Sequence, residues 1–337
     1  MKKNYKWIFF AIGIAGVILL VLKAKPGQLN WEELFTPTLP LILAVLLALW
    51  AFIYAVHAKA FRLIMGDAAV GIGRWELYRI CMTGFAINNV TFAGVIGGEP
   101  YRILELKNYM PTGKATSSTI TFSLMYVSGH MMLWLTGISL YFIMGCPGES
   151  WLTVLLGAAG AILLALLTFF FTSRWKALAT PAFRFFAKLP LIGKKAAAFA
   201  EKNAEAFSNI DRCYAEFFAD RKTVYKVVLL EYGARLLEST EYFLIFLHLG
   251  INVHLTGGIL ILAFASLLGN LLFMVPMQAG TRESGMALAL DILGISSGTG
   301  VMGGLIYRMR DLICTAAGIL LILAGKKKKK DGVSHEN

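Results

Sequence analysis

Apolar runs long enough to cross a bilayer recur along the whole of this 337-residue chain, and they leave it few folds. The hydrocarbon core of a bilayer takes about 20 residues of helix at roughly 1.5 Å each. Every backbone polar group there must be satisfied internally, which admits only helices and closed barrels. Such runs read at Trp7–Leu22, Leu39–His57, Trp75–Ile96, Ala115–Met144, Trp151–Thr172, Val224–Leu249, Leu255–Val275 and Gly300–Ala324. With 57% hydrophobic and 15% charged residues, the chain is not the two soluble domains its length would otherwise suggest. The expectation is an all-α, polytopic helical membrane bundle of about 7–8 spans.

Basic residues set the orientation. Lys2, Lys3 and Lys6 precede the first run, which reads as a retained signal anchor with its amino terminus inside. Trp31, Glu32 and Glu33 fall in an external connection over residues 23–37. Lys59, Arg62 and Arg74 mark a cytoplasmic turn after the second run. Residues 173–226 are rich in Lys and Arg and are therefore cytoplasmic. Within them Phe199, Phe207, Ile210, Tyr214 and Phe217 recur at helical spacing. That is an amphipathic helix, either lying on the inner leaflet or packed under the bundle. The expected division is one transmembrane domain over 1–325, with a basic cytoplasmic tail at 326–337. The protein is expected in a bacterial inner (plasma) membrane. Its net charge of +12 then points to anionic headgroups and inside loops, and no nucleic acid is expected.

Two stretches interrupt the pattern. From Asn89 to Arg102, Gly94, Gly97, Gly98 and Pro100 break helical geometry, and Glu99 and Arg102 bring charge where apolar residues should continue. The stretch from Asn270 to Glu283 holds Pro276 and Gly280. Both carry Asn-x-x-Phe, a Gly about ten residues after the Asn, and then a Glu. Interrupted apolar segments in corresponding halves point to a transporter site at a repeat interface, and suggest an inverted repeat with broken or re-entrant segments. For the first, a re-entrant hairpin returns Arg102, Lys107 and Lys114 to the inside. For the second, the last three runs leave the lysine tail outside. Ser284–Gly298 is the one candidate for the missing passage, with two half-helices sharing it.

Charge also enters the runs themselves. Glu231, Arg235, Glu238 and Glu241 fall within about a third of a helix circumference. Each costs on the order of 3 kcal/mol on insertion scales, so together they must face protein, water or headgroups. Arg235 can pair with Glu231 and with Glu238, and the alternative to a ligand site is a structural ion cluster. In the last run Arg308 can pair with Asp311, with Arg310 pointing elsewhere. An arginine in a cavity suits a phosphate, because guanidinium offers two parallel hydrogen bonds. Arg282 adds a further phosphate contact. Helix amino termini after Gly98 and Gly280 would aim N–H groups at an anion, with Glu99 and Glu283 competing for or capping them. His130 lies mid-run, either as a proton relay or, more commonly, hydrogen-bonded to a neighbouring helix.

Other chemistry finds no foothold. The four cysteines make no CxxC pair, and the five histidines make no HExxH, so neither a metal nor a cofactor is expected. Gly97-Gly98-Glu99-Pro100 lacks the Lys-Ser/Thr and the strand of a nucleotide loop. No nucleophile–base pair is visible, so the chain is not read as an enzyme.

Asn-x-x-Phe…Gly-Gly-Glu-x-x-Arg at 89–102, Pro276…Gly280…Glu283, Leu293-Gly294 and Arg308 together resemble the lysylphosphatidylglycerol synthetase transmembrane family, also described as flippase-like membrane domains. The resemblance covers about residues 5–325. It implies a multi-span domain that moves lipids between leaflets, alone or fused to a soluble synthetase, with Glu99, Arg102, Glu283 and Arg308 as shared positions. Family members often open the span after the first motif with an acidic–basic pair, where this chain reads Thr121-Phe-Ser-Leu-Met-Tyr126.

The function expected is a lipid translocase for a polar, phosphate-bearing lipid, anionic or polyprenyl-linked. Its candidate residues are Asn89, Gly98, Glu99, Arg102, Arg235, Glu238, Gly280, Arg282, Glu283, Arg308 and Asp311. The alternative is a membrane scaffold that docks a separate lipid-modifying or glycosyl-transferring enzyme through residues 173–226.

Overall fold

A computed structural model describes residues 36–90, 97–145, 149–172, 204–271, 278, 280–296 and 298–332. The anchor, the connection up to residue 35, the loop at 173–203 and the centres of both interrupted stretches lie outside them. The described residues are helical throughout, without a strand. In chain order the helices are α1 (Leu39–Met65), α2 (Arg74–Val90), α3 (Gly98–Leu106), α4 (Thr112–Ile143), α5 (Ser150–Thr172), α6 (Ala204–Ala219), α7 (Arg221–His248), α8 (Leu255–Leu271), α9 (Thr281–Ile292) and α10 (Gly298–Gly332). Two helices, over Leu39–Ala69 and Ser150–Phe171, are long and apolar enough by themselves to cross a membrane. α7 carries more charge than such a test allows, and α8 is apolar but shorter.

One boundary corrects the sequence reading. Lys59 and Arg62 are not in a turn, because α1 meets no breaker before Gly66, whose φ of 58° ends it. Arg62 instead donates to the Ile72 carbonyl, 3.1 Å away, and braces the turn from within the helix. The lysine run at 326–330 continues α10 without a break, since lysine is a good helix former and its charge suits the carboxyl end of a helix. α9 is too short for a passage of its own: 12 residues reach about 18 Å.

The chain turns back at both interruptions. The Gly98 N–H donates to Asn88 Oδ1 at 2.6 Å, whereas ten residues of continuous helix would separate them by about 15 Å. α3 therefore lies back on α2, so closely that a Cβ on Gly98 would meet the Gly84 carbonyl oxygen at 2.1 Å. α9 does the same on α8, where a Cβ on Gly285 would meet the Phe264 carbonyl oxygen at 2.3 Å.

The helices around the two hairpins are alike in length. α1 to α4 run 27, 17, 9 and 32 residues, and α7 to α10 run 28, 17, 12 and 35. Packing repeats as well: α4 lies on α8 as α10 lies on α2, and α1 meets its counterpart α7 directly. Gly137 of α4 faces Ala263, and Gly318 of α10 faces Ala86, with the same spacing between the glycines as between Asn89 and Asn270. α1 and α7 are antiparallel, because Thr38 reaches His248, Trp50 reaches Glu241 and His57 reaches Glu231. α5 packs on α4, and α6 lies against α4 and α7 with Ser117 donating to the Ile210 carbonyl. α6 is thus packed under the bundle.

The apolar core is divided in two. One part gathers Leu39, Leu133, Tyr242, Phe246, Leu260 and Leu305; the other gathers Ile53, Phe61, Ile80, Phe122, Val227 and Cys314. α1, α4, α7 and α10 each run from one part into the other. Arg235, Glu238 and Glu241 of α7 fall at the crossover, between Ala234 and Tyr242, and Arg308, Arg310 and Asp311 of α10 fall between Tyr307 and Cys314.

Candidate functional site

The charged face of α7 supplies the middle layer. Glu231, Arg235, Glu238 and Glu241 are all buried, and each finds its partner on another helix or one turn away. Arg235 donates to Glu238 on its own helix and, through Nη2, to His57 Nε2 of α1 at 2.7 Å. Arginine has no acceptor, so His57 Nε2 must be the unprotonated nitrogen. The proton then sits on Nδ1 and is donated to Glu231 Oε2 at 2.9 Å. His57 is a neutral bridge from a carboxylate to a guanidinium. Glu231 does not pair with Arg235 as its spacing allowed, because the imidazole stands between them.

Arg310 fills the centre. It is fully buried and forks onto both oxygens of Glu241, at 2.6 and 2.5 Å. Trp50 donates to the same carboxylate at 2.9 Å, and the guanidinium lies 4.2 Å from the Trp50 ring and 4.5 Å from that of Tyr307. Sequence reading set Arg310 aside; the structure makes it the most completely partnered cation of the layer. Asp311 does not pair with Arg308. It accepts from Asn89 at 3.1 Å and from Arg310 at 3.4 Å, which ties α2 to α10.

The second hairpin presents Arg282, Glu283 and Arg308. Glu283 Oε2 accepts the Gly280 N–H at 2.7 Å, so the carboxylate caps its own helix. Its Oε1 accepts from Arg308 Nε at 3.0 Å, and Arg308 Nη2 also reaches the Gln278 carbonyl. Arg282 lies over the Tyr307 ring at 4.6 Å, donates to the Tyr307 hydroxyl and stands 3.5 Å from Glu238.

The first hairpin is built alike but less fully satisfied. Glu99 Oε1 accepts from Ser123 of α4 at 2.9 Å and from Arg102 at 3.4 Å. Its counterpart Glu283 likewise reaches from the short helix to the long helix that follows. Here Asn88 Oδ1, not Glu99, takes the first N–H of the short helix. Arg102 is 1% exposed and lies between the rings of Phe85 and Phe122, at 4.7 and 5.3 Å. Gly84 makes room for it: a Cβ there would meet Arg102 Nε at 2.3 Å. Tyr126 joins the two halves, touching Phe85 and Phe122 and lying under Arg235 at 4.5 Å.

Five arginines (102, 235, 282, 308, 310) thus face six carboxylates (99, 231, 238, 241, 283, 311). The layer is close to neutral, so it is no open cationic sink. An anion can enter only by taking over donors that the carboxylates leave unused. Those donors exist: Arg102 Nε and Nη2, Arg235 Nε and Arg282 Nε are buried without a hydrogen-bond partner, as are the acceptors Glu99 Oε2 and Glu231 Oε1. An unmet charged donor in a low-dielectric interior costs about 1–3 kcal/mol or more, which an oxygen-rich ligand would recover. All eleven residues singled out from sequence therefore fall on this layer or on the hairpins that edge it. His57, Trp50, Tyr307 and Arg310 complete it; of these only Arg310 was weighed in the sequence, as a charge within the last run. His130 has no partner for Nδ1 and stacks on Tyr126 and Trp134 rather than hydrogen-bonding through that atom to a neighbouring helix. Among the described residues no group of His, Cys, Asp or Glu side chains is arranged to hold a metal ion.

No curated protein and no solved structure shows a match to the chain. One family of sequences does, over residues 8–318. Nearly the whole chain, with both hairpins and the charged layer between them, belongs to the integral membrane family described as the lysylphosphatidylglycerol synthase TM region.

Proposed function

We propose that the chain is a lipid translocase that carries the headgroup of a polar, phosphate-bearing lipid across the inner membrane. The observation that carries this reading is the set of buried, unmet guanidinium N–H groups on Arg102, Arg235 and Arg282, at the layer where the two sets of helices, which we read as antiparallel repeats, meet. Transporters built from inverted repeats hold their substrate sites at that level, on interrupted helices. Phosphate oxygens suit the free donors, and acyl chains would stay in the bilayer.

The topology proposed with it keeps basic residues inside. α1 enters the cytoplasm, and the α2–α3 hairpin dips in from that side and returns. α4 and α5 cross, α6 lies beneath, and α7 crosses outward. The α8–α9 hairpin dips in from outside, and α10 brings the lysine run to the inside. In this topology the α8–α9 hairpin adds no crossing, which is supported by α9 lying back on α8 and which would bring the lysine run inside.

The test is reconstitution into liposomes with fluorescent phosphatidylglycerol or phosphatidylcholine and an impermeant quencher. Protein-dependent loss of signal beyond the outer-leaflet fraction is expected. Arg282→Gln and Arg102→Gln should slow it about tenfold or more, the value of one charge-assisted hydrogen bond. Folded protein that moves neither probe, or variants as fast as the parent, would remove the reading.

A further inference from the structure

One side chain of the layer joins α1 to α7, with a carboxylate on one ring nitrogen and a guanidinium on the other. We propose that His57 is a proton-binding site that couples lipid movement to the proton gradient, one proton travelling with each anionic headgroup. The inference rests on the translocase reading above.

The geometry makes proton and arginine exclusive. His57 Nε2 is occupied by Arg235 Nη2 at 2.7 Å, and Nδ1–H is held by Glu231 Oε2 at 2.9 Å. A proton arriving at Nε2 would set an N–H against the guanidinium, so the His57–Arg235 bond must break first. Arg235 has somewhere to go, since it is already bound to Glu238 and its Nε is unmet. A phosphate on Arg235 draws the guanidinium off the imidazole, and Nε2 is freed. The released imidazolium is then stabilised by Glu231, whose Oε1 has no partner. Each ligand therefore favours the other, and by linkage the effect is reciprocal. Histidine is the side chain whose ordinary titration range makes such an exchange available at physiological pH.

The surroundings contain no better-placed group. From α7, Glu231 and Arg235 face the ring, with Glu238 behind. From α2 come Phe85 and, beside Glu231, the buried thiol of Cys81. From α4 come Tyr126 and, across it, His130. From α10, Arg310 and Asp311 lie beyond Tyr54 of α1. Among these groups His57 is hydrogen-bonded to both a carboxylate and a guanidinium. The bond it makes lies on the seam between α1 and α7, where a change is felt by both repeats.

Full-length protein in liposomes with fluorescent phosphatidylglycerol and an entrapped pH dye provides the test. At equal pH the probe should distribute evenly between leaflets. One pH unit across the membrane should shift that distribution towards the limit of about tenfold for one coupled proton, with proton movement seen by the dye. His57→Gln keeps a donor for Glu231 and an acceptor for Arg235 but binds no proton, so its distribution should stay even under the gradient, whatever its rate. His130→Gln should still respond. Even exchange that ignores the gradient in the parent protein overturns the coupling and leaves the translocase standing. A gradient response lost in His130→Gln and kept in His57→Gln assigns the proton elsewhere and overturns the site. No exchange of any probe overturns the translocase reading and this one with it.

Discussion

Replacing Arg310 by Met should cost most of the stability of the fold, and restoring charge balance should return it. Arg310 and Glu241 are both fully buried and joined by two hydrogen bonds. Removing one member of such a pair leaves an uncompensated buried charge, about 3–5 kcal/mol. A domain has only about 5–15 kcal/mol in hand. Glu241→Leu should cost a similar amount by stranding the guanidinium. In the double variant both members of the pair are gone; Asp311 keeps Asn89 but loses its contact to Arg310, as it already does in Arg310→Met, so that loss cancels in the cycle. What remains is the Trp50 N–H, which loses its acceptor at about 1–3 kcal/mol. The cycle should therefore show a coupling of at least about 3 kcal/mol. Denaturant unfolding in detergent micelles would measure it, with tryptophan fluorescence as the signal. If the double variant is as unstable as the two single losses added together, the pair is not what holds this part of the layer.

Other outcomes follow from contacts described above. Gly137→Ala would place its Cβ 2.3 Å from that of Ala263, so overpacking of about 1–3 kcal/mol is expected in the same unfolding assay, relieved when Ala263→Gly is added. Gly157→Ala, whose Cβ would meet Phe142 at an ordinary 3.6 Å, should change little and serves as the control. Asp220 caps α7, accepting from the Thr223 hydroxyl and N–H at 2.6 and 3.2 Å, and these bonds hold its carboxyl below the usual 3.8. A depressed folded value means that its contribution is present above the unfolded value and lost as pH falls through the folded one. The melting temperature of Asp220→Ala should therefore lie below the parent's at neutral pH and converge with it in acid. An unchanged difference down to the lowest pH at which the protein folds would refute that.

Much of this architecture was legible in the residues. Apolar runs placed α1, α2, α4, α5, α7, α8 and α10, and the spacing of Phe207, Ile210, Tyr214 and Phe217 placed α6. Gly98 and Gly280 marked where α3 and α9 begin, although Ser284–Gly298 reads as part of a crossing rather than a return. The likeness of the two halves was visible in Asn89 and Asn270. Partner choice was not. Spacing on one helix suggested Arg235 with Glu231 and with Glu238, and Arg308 with Asp311; Arg235 does pair with Glu238, but His57 from α1 stands between it and Glu231, and Glu283 from α9 claims Arg308. A local pattern lists which pairs can form, while the tertiary fold decides which are desolvated together. Arg310 was passed over for the same reason, since its carboxylate lies 69 residues earlier in the chain. The end of α1 was misplaced because charge was taken as the boundary, where backbone geometry at Gly66 sets it.

The charge on α7 also dictates an order of assembly. In the proposed topology this helix must enter the bilayer with three glutamates and one arginine, at about 2.5–3.5 kcal/mol apiece near the centre. His57 and Trp50 are synthesised long before it and wait in α1; Arg310 follows only after α8 and α9. A chain arrested before α10 would hold Glu241 with no cation to meet it. α7 is thus a segment that the insertion machinery cannot release on its own merits. It must be retained at the protein–lipid boundary until the second repeat is nearly complete, so that biosynthesis of this half proceeds as one cooperative event rather than helix by helix.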